Sequence, residues 1–281
     1  MRFGVGLSPF EIWRDFDASA REALARKLAD LDAFGVEYLA VLFDDMRGDL
    51  AGLADAQTRI VHWIAERTNA RRLIVCPTYY TDDPLLDRAF GARPDRYLEQ
   101  LGAGLDLDID IFWTGEEVCS REFRRGHLER VAEQLGRKPF IWDNYPVNDG
   151  PVMSRRLHLR AFTGRPAAME GLVAAHAVNP ASQPVLTRIP ALTLADSYAQ
   201  GDAYQYGAAF ARAATQVLGE ELGAMVGRHL TLLQDHGLES LGEAAARLRA
   251  RYGAIDHPGA REIVDWLDGA WRITRETMES A

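Results

Sequence analysis

Short apolar runs alternate with longer stretches of helical periodicity through most of the chain. Phe3–Leu7, Tyr38–Phe43, Leu73–Thr78, Ile109–Trp113, Pro139–Trp142 and Ala175–Val178 read as strands, apolar along nearly their whole length. That is the pattern of parallel strands covered on both faces. Between them, Ala18–Phe34 reads as a helix, with Leu24, Leu28 and Leu31 at helical spacing and Gly35 as its stop. Leu53–Thr68, Asp95–Gly102 and Gly126–Leu135 read the same way, and Met153–Leu172 is mixed. From about Leu192 the strand signals end. Ala203–Leu218, Leu222–Asp235, Leu238–Tyr252 and Ala260–Thr277 carry helical patterning, and Asp256, ahead of His257-Pro258, marks the start of the last.

This alternation predicts an α/β fold with a parallel sheet of about six strands covered by helices, either a TIM-type (β/α) barrel, incomplete because a closed barrel needs eight, or a doubly wound sheet, followed by C-terminal helices. Residues 1–200 are expected to form the catalytic barrel domain and 201–281 a helical segment. The helical segment packs on the barrel or mediates self-association as a homodimer; the pattern leaves both open. There is no G-x-G-x-x-G and no G-x-x-x-x-G-K-[ST], so nothing beyond the alternation supports a nucleotide fold.

Composition narrows the function. A net charge of -9 leaves no basic excess to neutralise phosphates, which argues against nucleic acid. No stretch approaches the ~20 apolar residues that span a membrane, and Met1–Phe10 lacks the apolar run of a signal peptide. Lys27 and Lys138 are the only lysines, an arginine bias typical of a GC-rich bacterial gene. Cys76 and Cys119 could form a structural disulfide, but two buried free thiols in a reducing cytoplasm is the simpler reading, and no zinc spacing is present. His62, His127, His158 and His176 are scattered and read as solvated or core histidines, so neither a metal nor a cofactor is expected.

Polar and aromatic residues collect after each strand, where barrel enzymes place their chemistry. Asp44-Asp45 follows the second strand. Two carboxylates that reach one pocket from a turning strand end suit substrate-assisted glycoside hydrolysis, where one holds the 2-acetamido N–H and the other moves a proton. A helix cap, a structural salt bridge or a magnesium ligand pair would use the same two residues. Cys76-Pro77-Thr78-Tyr79-Tyr80 offers phenol hydroxyls at a rim. Trp113-Thr114-Gly115 offers a ring, which suits core and pocket equally, and a tight turn. Trp142-Asp143-Asn144 with Asn148-Asp149 gathers an indole, amides and carboxylates. Flat apolar faces mixed with amides and carboxylates are what a sugar site needs.

These motifs, with Leu42-Phe43 before the aspartates, Gly164-Arg165 and Asn179-Pro180, stand in the same order as in glycoside hydrolase family 84. The chain resembles that family, which includes protein O-GlcNAcases, from about residue 1 to 210. The resemblance implies that Asp44 orients and polarises the acetamido group and that Asp45 is the general acid/base. It places Tyr80 near the reacting centre, Trp142 along the acetamido pocket with Cys76 nearby, and Asn144 in support of the acetamido group. Asp149 would bind the 4- and 6-hydroxyls, and Asn179 other sugar hydroxyls. Tyr79 stands where relatives often have glutamate. The family's Gly-Phe-Tyr-Gly strand end and Pro-Lys-Asp strand are absent, and Gly4–Pro9 resembles its third strand. With the strand count, this predicts that Met1 is an internal start and that two βα units are missing.

The expected function is therefore removal of terminal β-linked N-acetylglucosamine from a glycan or glycoprotein, retaining configuration by substrate assistance. The alternative is a non-catalytic sugar- or protein-binding remnant of such an enzyme.

Overall fold

The structure, a computed structural model, describes residues 2–10 and 12–274. Six strands form one sheet in the order of the chain: β1 (Gly4–Leu7), β2 (Tyr38–Leu42), β3 (Arg72–Cys76), β4 (Asp110–Trp113), β5 (Phe140–Asp143) and β6 (Ala175–Val178). Neighbours from β1 to β5 are parallel, with Gly4 opposite Tyr38, Tyr38 opposite Arg72, Ile74 opposite Asp110 and Phe112 opposite Phe140. The fold is α/β of the TIM type, with six strands where a closed barrel has eight.

Two compact units divide the chain. One is Met1–Trp142 with Met169–Ala177; the other is Asp143–Ala168 with Val178–Ala281. The sequence changes character near residue 200, but this division falls earlier, because residues after β5 pack with the C-terminal helices.

In the first unit, α1 (Ala18–Ala33), α2 (Leu53–Ala65), α3 (Pro84–Phe90), α4 (Tyr97–Gly104) and α5 (Arg125–Leu135) join the strands. Alternation along the strands divides the apolar residues. Leu39 and Val41 point into the core shared with Leu28, Ile60, Ile64 and Leu101. Ala40 and Leu42 point the other way, against a small cluster of Ile74, Cys76 and Phe112, together with Phe140, Trp142 and Ala177. The second face leads to the candidate site.

The second unit contains α6 (Arg188–Gln200), α7 (Tyr206–Leu218), α8 (Glu220–Leu230), α9 (Glu243–Gly253) and α10 (Pro258–Leu267). Leu157, Leu159 and Ala161, from the β5–β6 connection, are buried with Phe210, Val226, Tyr252 and Trp266. Gln234 fixes that connection by accepting hydrogen bonds from the backbone of Leu159 and Arg160.

Several boundaries differ from the sequence expectation. The short helix α3 was not expected, although Asp83 caps it and Pro84 opens it. Helix α6 was not expected either. A π-helical turn, Thr231–His236, follows α8 and stops at Gly237. The last helix ends at Leu267 because Gly269 adopts a φ of 82°; residues 275–277 of the expected helix lie outside the described residues. Cys76 is buried as expected, but Cys119 is exposed.

Candidate active site

Asp44 lies two residues beyond Leu42 and so keeps the inward phase of Ala40 and Leu42. Asp45 would then point away, but its φ of 55° puts it in the left-handed region, which non-glycine residues adopt at some cost. Asp is among the side chains that tolerate it best. This single kinked residue changes the direction of the second carboxylate.

Asp44 is half-buried and Asp45 exposed. Desolvation, aided by the charge of Asp45, pushes the Asp44 carboxyl up to about 6. Desolvation raises Asp45 as well. Among the described residues, no cationic group contributes to either shift.

Cys76 and Tyr80 complete this group. Burial, then the charges of Asp44 and Asp45, raises the Cys76 thiol well above its ordinary value, which keeps it protonated. Burial and Asp45 likewise raise the Tyr80 phenol. Tyr80 and Trp142 pack on the same inward cluster, with Trp142 edge-on to Phe112 at 4.9 Å. The structure thus brings Asp44, Asp45, Cys76 and Tyr80 within electrostatic reach of one another. Tyr79, expected at the rim, is core: it is fully buried, and its hydroxyl donates to the Gly91 carbonyl at 2.7 Å.

The loop bearing Tyr80 is tied to the end of β4. Thr114 N–H donates to the Tyr80 carbonyl at 2.9 Å, and the Thr81 hydroxyl donates to the Gly115 carbonyl at 2.7 Å. Gly115 has a φ of 104°, and a Cβ there would meet Ser120 Oγ at 2.2 Å, so the turn requires glycine. Trp113 resolves to core: it is fully buried and donates its indole N–H to His127 Nε2 at 2.9 Å. Sequence reading did not find this role of His127, which pairs residues from a strand and the helix after it.

Asn144, Asp149 and Asn179 belong to the second unit. Asn144 and Asn179 follow Trp142 and Ala177 in the same phase as Asp44 follows Leu42. Asn179 Nδ2 donates to Asn144 Oδ1 at 2.9 Å. Asp149 is exposed beside Asn148, which is buried. Asp143, between the motif residues, is buried and ion-paired with Arg165. A cavity of about 650 Å³ on the first unit is lined by Trp13 and Arg14 from the β1–α1 connection, Arg47 and Asp49 from the β2–α2 loop and Arg59 of α2, and not by Asp44 or Asp45. Among the described residues, no helix is long and apolar enough to cross a membrane.

A family model described as beta-N-acetylglucosaminidase (NAGidase) matches residues 1–228. The chain belongs to this family, glycoside hydrolase family 84. It is 30% identical to the protein O-GlcNAcases of Rattus norvegicus and Mus musculus over 151 residues, 50% of this chain and 16% of each relative. The match therefore covers about a sixth of those curated relatives. A mutant of the Thermobaculum terrenum O-GlcNAc hydrolase superposes with a TM-score of 0.73 at 26% identity, over 96% of this chain and 66% of that one. CpGH84B shares the fold, with a TM-score of 0.67 at 19% identity over 95% of this chain and 52% of that one. The NAGidase match ends inside α8, so α9 and α10 lie beyond it.

Proposed function

We propose that the protein hydrolyses terminal β-linked N-acetylglucosamine on a glycan or glycoprotein, with retention of configuration and assistance from the substrate's acetamido group. The observation that carries this reading is the Asp44–Asp45 pair: adjacent carboxylates at a strand end, both raised, with the second redirected by left-handed backbone. Family membership supports the same reading.

In the proposed reaction, Asp44 accepts the acetamido N–H and steadies its carbonyl oxygen. That oxygen attacks the anomeric carbon as the glycosidic C–O bond breaks, and Asp45 gives its proton to the leaving oxygen. Asp45, now ionised, takes a proton from water, which attacks the anomeric carbon and opens the oxazoline-type intermediate. Burial raises the Asp45 carboxyl, the direction a proton donor requires. The N–H of bound substrate favours the ionised form of Asp44. We assign Tyr80 and Trp142 to the acetamido side, and Asn144, Asp149 and Asn179 to polar contacts with the sugar.

Hydrolysis of an aryl N-acetyl-β-glucosaminide tests this. Asp45→Asn and Asp44→Asn should each lower kcat/KM by about 10²–10⁴-fold; unchanged turnover in either defeats the assignment. A second reading is sugar binding without turnover. Calorimetry with an N-acetylglucosamine thiazoline distinguishes them: binding without hydrolysis supports the second.

A further inference from the structure

The loop from Asn179 to Thr187 carries one of the second-unit positions to which we assign sugar contacts, bonds to Asn144, and bonds to the neighbour of Asp149; side chains fix it at three places. At its start, Asn179 donates to Asn144 Oδ1. In the middle, Asn148 Oδ1 accepts the Ser182 N–H at 2.9 Å, and Asn148 Nδ2 donates to Gln183 Oε1 at 2.9 Å; Asn148 immediately precedes Asp149. At its end, the Glu262 carboxylate of α10 accepts the N–H groups of Val185 at 2.8 Å and Leu186 at 2.9 Å. Glu262 is 7% exposed. Each of its oxygens takes one main-chain donor, an arrangement only a carboxylate supplies in full.

We infer that Glu262 is a positioning residue for the sugar-binding edge formed by Asn144, Asp149 and Asn179. This rests on the functional reading above. Helix α10 lies beyond the stretch matched by the family model, so this contact ties a helix outside that stretch to the loop that carries Asn179. Without the carboxylate, the buried Leu186 N–H and the partly buried Val185 N–H lose their acceptors, the turn at Val185–Leu186 relaxes, and the loop transmits the change to Ser182, Asn148 and Asn179.

Glu262→Ala should lower kcat/KM on an aryl N-acetyl-β-glucosaminide by about tenfold, mainly through KM, with Glu262→Gln intermediate because its amide oxygen still accepts one bond. The preference for the gluco over the galacto substrate should fall too. A purely structural role, assayed at a temperature where the variants are folded, would leave that ratio unchanged and overturn the inference. Amide hydrogen exchange provides a test independent of turnover. In Glu262→Ala, faster exchange should spread from Val185 and Leu186 to Asn179, Ala181 and Ser182; confinement to Val185 and Leu186 overturns it. If the wild-type protein hydrolyses neither sugar, the functional reading fails, and exchange still decides the positioning role.

Discussion

Arg165 grips Asp143 with two hydrogen bonds, from Nε at 2.8 Å and from Nη2 at 2.6 Å, and both side chains are almost wholly buried. A third Arg165 nitrogen donates to the Thr163 carbonyl at 2.9 Å. The pair fixes the end of β5 immediately before Asn144. Arg165→Met should cost about 3–5 kcal/mol, because it strands a buried carboxylate. Arg165→Lys should recover little, since an ammonium cannot reproduce the two-pronged contact. Urea unfolding of the two variants and of the Asp143→Leu/Arg165→Met double variant checks this; the double variant should be the more stable of the two Met-containing proteins.

The Asp44 carboxyl is raised in the folded protein, so its effect on stability has a definite sign. The folded state prefers the protonated acid. That contribution is fully present below the ordinary carboxylate value near 3.8 and is lost as pH rises through about 6. Asp44→Asn should therefore be more stable than wild type at pH 7–8, by about 1–2 kcal/mol after allowing for solvent screening. The difference should vanish near pH 4. Thermal unfolding of both proteins at the two pH values is the measurement, and equal Tm values at neutral pH would contradict it.

Asp45 owes its direction to left-handed backbone, which Asn tolerates about as well as Asp and longer side chains tolerate less. Asp45→Glu retains an acid but should lose at least about 10²-fold in kcat/KM, since a displaced proton donor forfeits the alignment that general acid catalysis needs. Asp45→Asn should be at least as stable as wild type at neutral pH while losing activity, because burial disfavours the charge it removes. Steady-state rates and melting curves on the same preparations separate geometry from charge.

His127 is buried, and its Nε2 accepts the Trp113 indole N–H, while Nδ1 faces Arg130 at 2.9 Å, Asp82 at 3.5 Å and Glu116 at 3.9 Å. Desolvation lowers its pKa. A depressed histidine contributes stability that is present above 6.5 and lost as pH falls through its folded value, because a proton on Nε2 removes the acceptor. His127→Leu should cost about 1–3 kcal/mol at neutral pH by orphaning the indole N–H. His127→Gln, which retains an acceptor, should cost less and should flatten part of the acid loss. Chemical denaturation at pH 5 and pH 7.5 reads both effects.

The strands were legible because parallel strands buried on both faces are written as continuous apolar runs, and all six lie where those runs fall. Helix α3 was missed because it has only seven residues and one buried position, too little for periodicity to register despite its Asp83-Pro84 start. Helix α6 was missed because Pro190 stands in its first turn and its small and polar residues, Thr193 and Ser197 among them, are themselves buried. The aspartate pair stood out as a motif, but the backbone kink at Asp45 has no signature in the residue types. The Glu262 contact joins residues separated by 76 and 77 positions, a relationship that one sequence does not encode in its local pattern.

Every strand pairs only with the strands before and after it in the chain, and successive strands begin roughly 30–40 residues apart. No connection has to thread past a partner laid down earlier. Assembly of the sheet can therefore advance one βα step at a time, each step closing a loop of similar length and similar entropic cost. Nucleation in the β2–α2–β3 region, where Leu39, Val41, Ile60 and Val75 converge in one core, would set the register that each later strand copies.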